Sequence, residues 1–170
     1  QQTITVSPMT AITSPKISKR LPQFVDKKDM NTLLTHVEFP DTWEGKTDQL
    51  IVKLFYNTGM RQAELIGLKE INISVNNSTI KVLGKGNKER IIPVSNPLMQ
   101  QMQEYIAIKK RLHEAHDKTF LLLTASGKKL YPCYVYNAVN KYLGLVTTID
   151  KKSPHVLRHS FATHLMNHGA

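Results

Sequence analysis

Arg61, Lys85, His155 and Arg158 are the residue types that could hold one phosphate diester and deliver a proton to the oxygen leaving it. Guanidiniums offer planar forks that match pairs of non-bridging phosphate oxygens, and an ammonium or an imidazole can protonate a departing alkoxide. Arg61 follows Thr58-Gly59-Met60, Lys85 sits in Gly84-Lys85-Gly86-Asn87-Lys88, and His155 and Arg158 stand in Ser153-Pro154-His155-Val156-Leu157-Arg158-His159. Such a site also needs a nucleophile, and no tyrosine follows Arg158.

Taken singly, each segment has a plainer account. On a helix at 100° per residue, His155, Arg158, His159 and Ala162 share one face, with Leu157, Phe161 and Leu165 on or near the opposite one. His155 falls in the first turn, where free N–H groups favour an anion, yet a charged helix face turned to water reads the same way. Arg61 stands three residues before Glu64, the spacing of a structural ion pair. Gly86 and Asn87 supply positive φ for a tight turn, and the Gly-x-x-x-x-Gly-Lys-Ser/Thr spacing of a nucleotide cradle is absent. The pairs His155/His159 and His164/His168 have i, i+4 ligand spacing but point to different sides of the helix and lack a His-Glu-x-x-His pattern, so no metal is expected. His164, on the apolar side, reads as a core histidine. Ser160 and His159 are adjacent and point about 100° apart, which rules them out as a nucleophile and base.

The elements that must position these groups are legible in the periodicity. Met30, Leu33, Leu34 and Val37 mark a helix with Asp26 as its cap, and Leu50, Ile51, Leu54 and Phe55 mark a second. The stretch Arg61 to Leu68 is helical again. Ile73, Val75, Ile80 and Val82 predict short strands broken at Asn76-Asn77-Ser78, with Arg90-Ile91-Ile92-Pro93-Val94 returning after the Lys85 turn. Asn96-Pro97 opens a long helix burying Leu98, Met102, Tyr105, Ile106 and Leu112, and a further helix spans about Tyr131 to Leu143. Ser153-Pro154 opens the last, running towards Gly169. Residues 1–22, rich in Thr, Ser and Pro with a basic cluster at Lys16, Lys19 and Arg20, read as a linker or arm.

At 170 residues the chain can bury a core, and its net charge of +10 favours a polyanionic partner, nucleic acid foremost. Charge alone leaves an unliganded basic surface equally open. Cys133 is the single cysteine and reads as a small buried side chain, so no intrachain disulfide forms and a reducing, intracellular setting is the simpler reading. Apolar runs such as Phe120 to Leu123 are too short to span a bilayer, and no secretory signal opens the chain. A start at Gln1 and a stop inside a helical pattern suggest a piece of a longer protein.

Together the motifs Thr58-Gly59-Met60-Arg61-Gln62-Ala63-Glu64-Leu65-Ile66-Gly67-Leu68, Gly84-Lys85-Gly86-Asn87-Lys88-Glu89-Arg90 and His155-Val156-Leu157-Arg158-His159-Ser160-Phe161-Ala162-Thr163-His164-Leu165 resemble the tyrosine recombinase (phage integrase) family, closest to its Xer-type members and mobile-element integrases. The resemblance implies an α+β, mainly α catalytic domain over residues 23–170 with a small antiparallel sheet. It further implies that Arg61 and Arg158 clamp the scissile phosphate of double-stranded DNA and that Lys85 protonates the 5′-hydroxyl leaving group. His155 assists at the phosphate, Glu64 and His159 orient these groups, and Lys88 and Arg90 contact DNA. In the family a tyrosine forms a 3′-phosphotyrosyl link without metal or ATP. Tyr56, Tyr105, Tyr131, Tyr134, Tyr136 and Tyr142 all precede His155, so the nucleophile is expected beyond Ala170 and this piece is expected to be inactive in cleavage. Asn72 departs from the acidic residue often found there. The expected setting is the bacterial cytoplasm at the nucleoid, with partner subunits in a synaptic complex of the full-length protein and a monomeric state for this piece. Two alternatives are a non-catalytic DNA-binding regulator that kept the fold and a type IB topoisomerase relative.

Overall fold

A computed structural model describes residues 23–112 and 118–169, so the expected arm at 1–22 with Lys16, Lys19 and Arg20 lies outside the described residues. The elements are α1 (Lys27–Thr35), α2 (Trp43–Thr58), α3 (Gln62–Ile66), β1 (Ile73–Ser74), β2 (Thr79–Leu83), β3 (Glu89–Pro93), α4 (Asn96–Leu112), α5 (Pro132–Leu143) and α6 (Pro154–Asn167). The fold is mainly helical with one antiparallel sheet of order β1-β2-β3, as the sequence predicts. No helix among the described residues is long and apolar enough to cross a membrane.

Helix α2 is the centre of the domain because its sequence is apolar around most of its circumference. Leu50, Ile51, Val52, Leu54 and Phe55 are all buried, and the helix packs against α4, α5 and α6. Thr42 caps its start by accepting from Gly45 N at 3.1 Å, and Gly59, at φ +61°, ends it in a left-handed turn. Chain reversal there delivers Arg61 to the start of α3. The sheet follows, with Val82 opposite Arg90 and Ile80 opposite Ile92 in the β2–β3 register.

Helix α6 is the element that differs most from the simple reading. Its buried stripe is Val156, Leu157, Ser160 and His164, whereas Leu165 is exposed and Phe161 only half-buried. The stripe follows i, i+3, i+7 from Leu157, and Leu165 lies a further 100° round the helix. A polar Ser160 is tolerated there because its Oγ accepts from Val25 N at 2.8 Å and donates to Val156 O at 2.7 Å. The segment before α1 is thereby strapped along α6: Val25 is fully buried, the Phe24 ring meets the edges of His159 and His164, and Lys27 pairs with His168. His164 is buried as expected, with Nδ1 at 2.9 Å from Tyr56 Oη. Burial is the largest influence on it and holds its imidazole below the ordinary pKa.

Two smaller expectations fail for local reasons, and a third is met in position only. Asp26 occupies the N-cap of α1 without a side-chain capping bond. Cys133 is exposed, because the buried face of α5 is Val135, Ala138, Val139, Tyr142 and Leu143 and position 133 lies off it. Leu112 is 60% exposed at the end of α4, beyond the last buried position, which Lys109 fills. The Lys109 side chain is fully buried, pairs with Glu70, and donates to Phe120 O at 2.6 Å and Leu121 O at 3.1 Å. It ties α4 to the segment that crosses Leu68 to Glu70 through the bonds Leu121 N to Leu68 O and Glu70 N to Thr119 O.

Candidate functional site

Glu64 is the point at which the separate sequence motifs meet. Its side chain is 2% exposed, and its position at the third residue of α3 lets the carboxylate fold back onto the helix start. Oε2 accepts from Arg61 N at 2.7 Å and from Arg90 Nη2 at 2.7 Å, while Oε1 accepts from Arg61 Nη1 at 3.3 Å. Burial alone would raise the Glu64 pKa. The Arg90 hydrogen bond, the Arg61 backbone N–H and the charges of both arginines outweigh it and hold the carboxyl below the ordinary carboxylate value. The simple ion pair at i, i+3 is therefore present, but only as one part of a three-donor hub.

The second arginine reaches the same place from α6. Arg158 is half-buried, and its pKa is lowered first by that burial and then by the positive charge of Arg61, with Arg90 acting in the same sense and Glu64 opposing. Arg61 and Arg90 share one carboxylate, Arg158 lies within electrostatic reach of all three, and an arriving anion would relieve the excess of positive charge. The Arg158 side chain makes no hydrogen bond or ion pair with other described residues, and half of the Arg61 side chain remains open to solvent at 51%. The Arg158 fork is unpaired among the described residues, and Arg61 keeps an exposed half beside the nitrogen that Glu64 engages.

Helix α6 is held against the Arg61 turn by a steric contact. A Cβ on Gly59 would lie 2.6 Å from Phe161 Cε1, with Cδ1 closer still, so the aromatic ring occupies the space that only glycine leaves. His155, exposed in the first turn of α6, lies one turn before Arg158, about 5–6 Å away between Cβ atoms by helix geometry.

Lys85 sits at the tip of the β2–β3 hairpin, in a short 3-10 turn (Lys85–Asn87) with positive φ at Gly86 (73°) and Asn87 (61°). Gly84 N donates to Lys88 O at 2.8 Å to close the hairpin. A Cβ on Gly84 would stand 3.4 Å from Glu64 Oε1, so Lys85 is the residue next to the hub. Lys85 and Lys88 are exposed and make no side-chain ion pair with other described residues.

Two predicted positions differ in surroundings. His159 does not contact Arg61; its ring packs edge-on to Phe24 at 6.3 Å between centroids. Arg90, expected on DNA, turns one guanidinium nitrogen inward to Glu64. Arg90, Ile92 and Val94 fall on one face of the strand and both Ile92 and Val94 are buried, an alternation that the sequence reading did not apply to Arg90. The Gly59–Phe161 contact had no comparable signal.

The phage integrase family profile matches residues 23–170. The chain is 39% identical over 174 residues to the tyrosine recombinase XerC of Staphylococcus saprophyticus, covering 100% of this chain and 57% of that protein. It is 29% identical over 187 residues to the tyrosine recombinase XerC of Chlorobaculum parvum, covering 98% and 56% respectively. A crystal structure of the XerH site-specific recombinase bound to palindromic difH substrate, a post-cleavage complex, superposes with a TM-score of 0.76 at 25% identity, over 91% of this chain and 45% of that one. The chain spans just over half the length of the curated relatives it matches.

Proposed function

Because this chain belongs to the phage integrase family, we propose that its full-length form cuts and rejoins double-stranded DNA at a specific site through a 3′-phosphotyrosyl intermediate. The observation that carries this reading is the convergence on Glu64 of Arg61, Arg90 and the Lys85 hairpin, with Arg158 in the same field. Arg61 and Arg158 grip the non-bridging oxygens and neutralise the charge that builds in the transition state. Lys85 gives its proton to the 5′ oxygen as the P–O5′ bond breaks, and His155 donates a hydrogen bond to the phosphate. Each of these groups acts without a metal.

None of the six tyrosines in the sequence, all of which precede His155, is taken as the attacking group. In this reading the 170-residue piece is a monomer that binds DNA without cutting it, and the full-length protein works with partner subunits in the bacterial cytoplasm. Binding of the piece to duplex DNA tests the grip. Affinity falls steeply with salt, and Arg61→Ala with Arg158→Ala flattens the log–log slope by about 1–2. A salt-independent affinity, or one indifferent to both substitutions, contradicts the proposal.

A further inference from the structure

We propose that Arg90 is a positioning residue for Lys85: through Glu64 it locks the β2–β3 hairpin to the Arg61 turn, so that the lysine meets the phosphate the arginines hold. This rests on reading Lys85 as the group that protonates the leaving oxygen.

The register of the hairpin decides which way Arg90 faces. Val82 pairs with Arg90 and Ile80 with Ile92, and Ile80, Val82 and Ile92 are all buried, so Arg90 belongs to the inner face. On the outer face Lys81 pairs with Ile91 and Leu83 with Glu89; Lys81 and Glu89 form their own ion pair at 3.3 Å, and Leu83 and Ile91 are exposed. The β2–β3 ladder ends at Leu83 and Glu89, and Lys85 lies beyond it in a turn with two consecutive positive φ values. Apolar packing of Ile80, Val82 and Ile92 holds the inner face of the hairpin, and Arg90 is the inward-facing residue of β3 nearest the Lys85 turn.

Arg90 acts at the turn end of the hairpin. Its Nη2 lies 2.7 Å from Glu64 Oε2, closer than the 3.3 Å of the Arg61 guanidinium, and Gly84 brings the hairpin backbone alongside the same carboxylate. One buried anion therefore registers both the phosphate clamp and the proton donor. A hairpin displaced by about 1 Å would lose proton delivery and leave the clamp intact, at a cost of roughly 100-fold in rate. Arg90 as a simple DNA contact would instead cost affinity.

A leaving-group substitution separates these roles. Sulfur in place of the bridging 5′ oxygen departs as a thiolate that needs no proton, so it restores cleavage where only proton delivery has failed. The full-length protein is presented with suicide DNA duplexes carrying oxygen or sulfur at that position, and the rate of covalent complex formation is measured. Lys85→Ala serves as the control for lost proton delivery and Arg61→Ala for lost clamping. Arg90→Ala, and Arg90→Met to keep the packed stem, are expected to slow cleavage about 10–100-fold on the oxygen substrate, to recover to near the unsubstituted rate on the sulfur substrate, and to leave DNA affinity within about twofold. In the 170-residue chain, Arg90→Met speeds amide hydrogen exchange at residues 84–88 and not in α6. An equal defect on both substrates, or an affinity loss that accounts for it, overturns the positioning role. Failure of sulfur to rescue Lys85→Ala overturns the assignment of Lys85 itself, and the proposal with it.

Discussion

Replacing Glu64 by Gln keeps the shape of the hub and removes its charge. The carboxylate accepts three hydrogen bonds, two from guanidinium nitrogens and one from a backbone N–H. Bonds to a charged group contribute about 1.5–3 kcal/mol each when buried, but the two arginine side chains are 51% and 42% exposed, and water screens exposed pairs down to about 0–1 kcal/mol. The glutamine still accepts from Arg61 N while its amide NH2 faces a cation. The expected loss is about 1.5–3 kcal/mol at pH 7, a fall of roughly 1 M in the urea midpoint for an m-value near 2 kcal/mol/M. The pH dependence carries a definite sign. Because the folded pKa of Glu64 is depressed, its stabilisation is complete above the unfolded value of about 4.3 and disappears as pH falls through the folded one. Urea unfolding of the 170-residue chain, followed by circular dichroism, should show this gap between the unsubstituted protein and its Glu64→Gln variant at pH 7, narrowing progressively below about pH 4. A gap under about 0.5 kcal/mol at pH 7, or one that stays constant down to acid pH, refutes the hub.

Gly59→Ala forces a left-handed residue to carry a Cβ and drives that Cβ into Phe161, with an expected cost of about 2–4 kcal/mol in urea melts. Phe161→Leu should relieve part of this in the double variant; strictly additive losses would show that the contact is not the cause. Lys109→Met leaves Glu70 and two carbonyls without their buried ammonium and is expected to cost about 2–4 kcal/mol by the same measurement. A change under about 0.5 kcal/mol would place Lys109 outside the stability core.

Strongly periodic segments were legible in the sequence, and segments held by single tertiary contacts were not. The apolar circumference of α2 and the spacing of Ile80 and Val82 announce burial directly, and Asn96-Pro97 and Ser153-Pro154 announce the starts of α4 and α6. In α6 the pattern misleads because the polar Ser160, and not Leu165, takes a core position; Val25 satisfies Ser160, and Tyr56 meets the expected core His164, from far along the chain. No local signal reports partners 135 and 108 residues away. The same limit hid Lys109, whose charge argues for the surface until Glu70 and two carbonyls are placed around it. For the candidate site, residue types and spacing singled out Arg61, Lys85, His155 and Arg158 as candidates; what they could not supply was Glu64 as the shared anchor of two motifs, since that depends on the register that turns Arg90 inward.

Whether Arg61, Lys85, His155 and Arg158 act together on one phosphate diester can be read from covalent trapping of the full-length protein on a suicide DNA duplex carrying its recombination site. A 3′-linked protein–DNA adduct is expected to form without metal ions and to be suppressed by Lys85→Ala and by Arg158→Ala. An adduct that forms at the unsubstituted rate in either variant, or no adduct from a full-length protein that binds the site, would contradict that joint action.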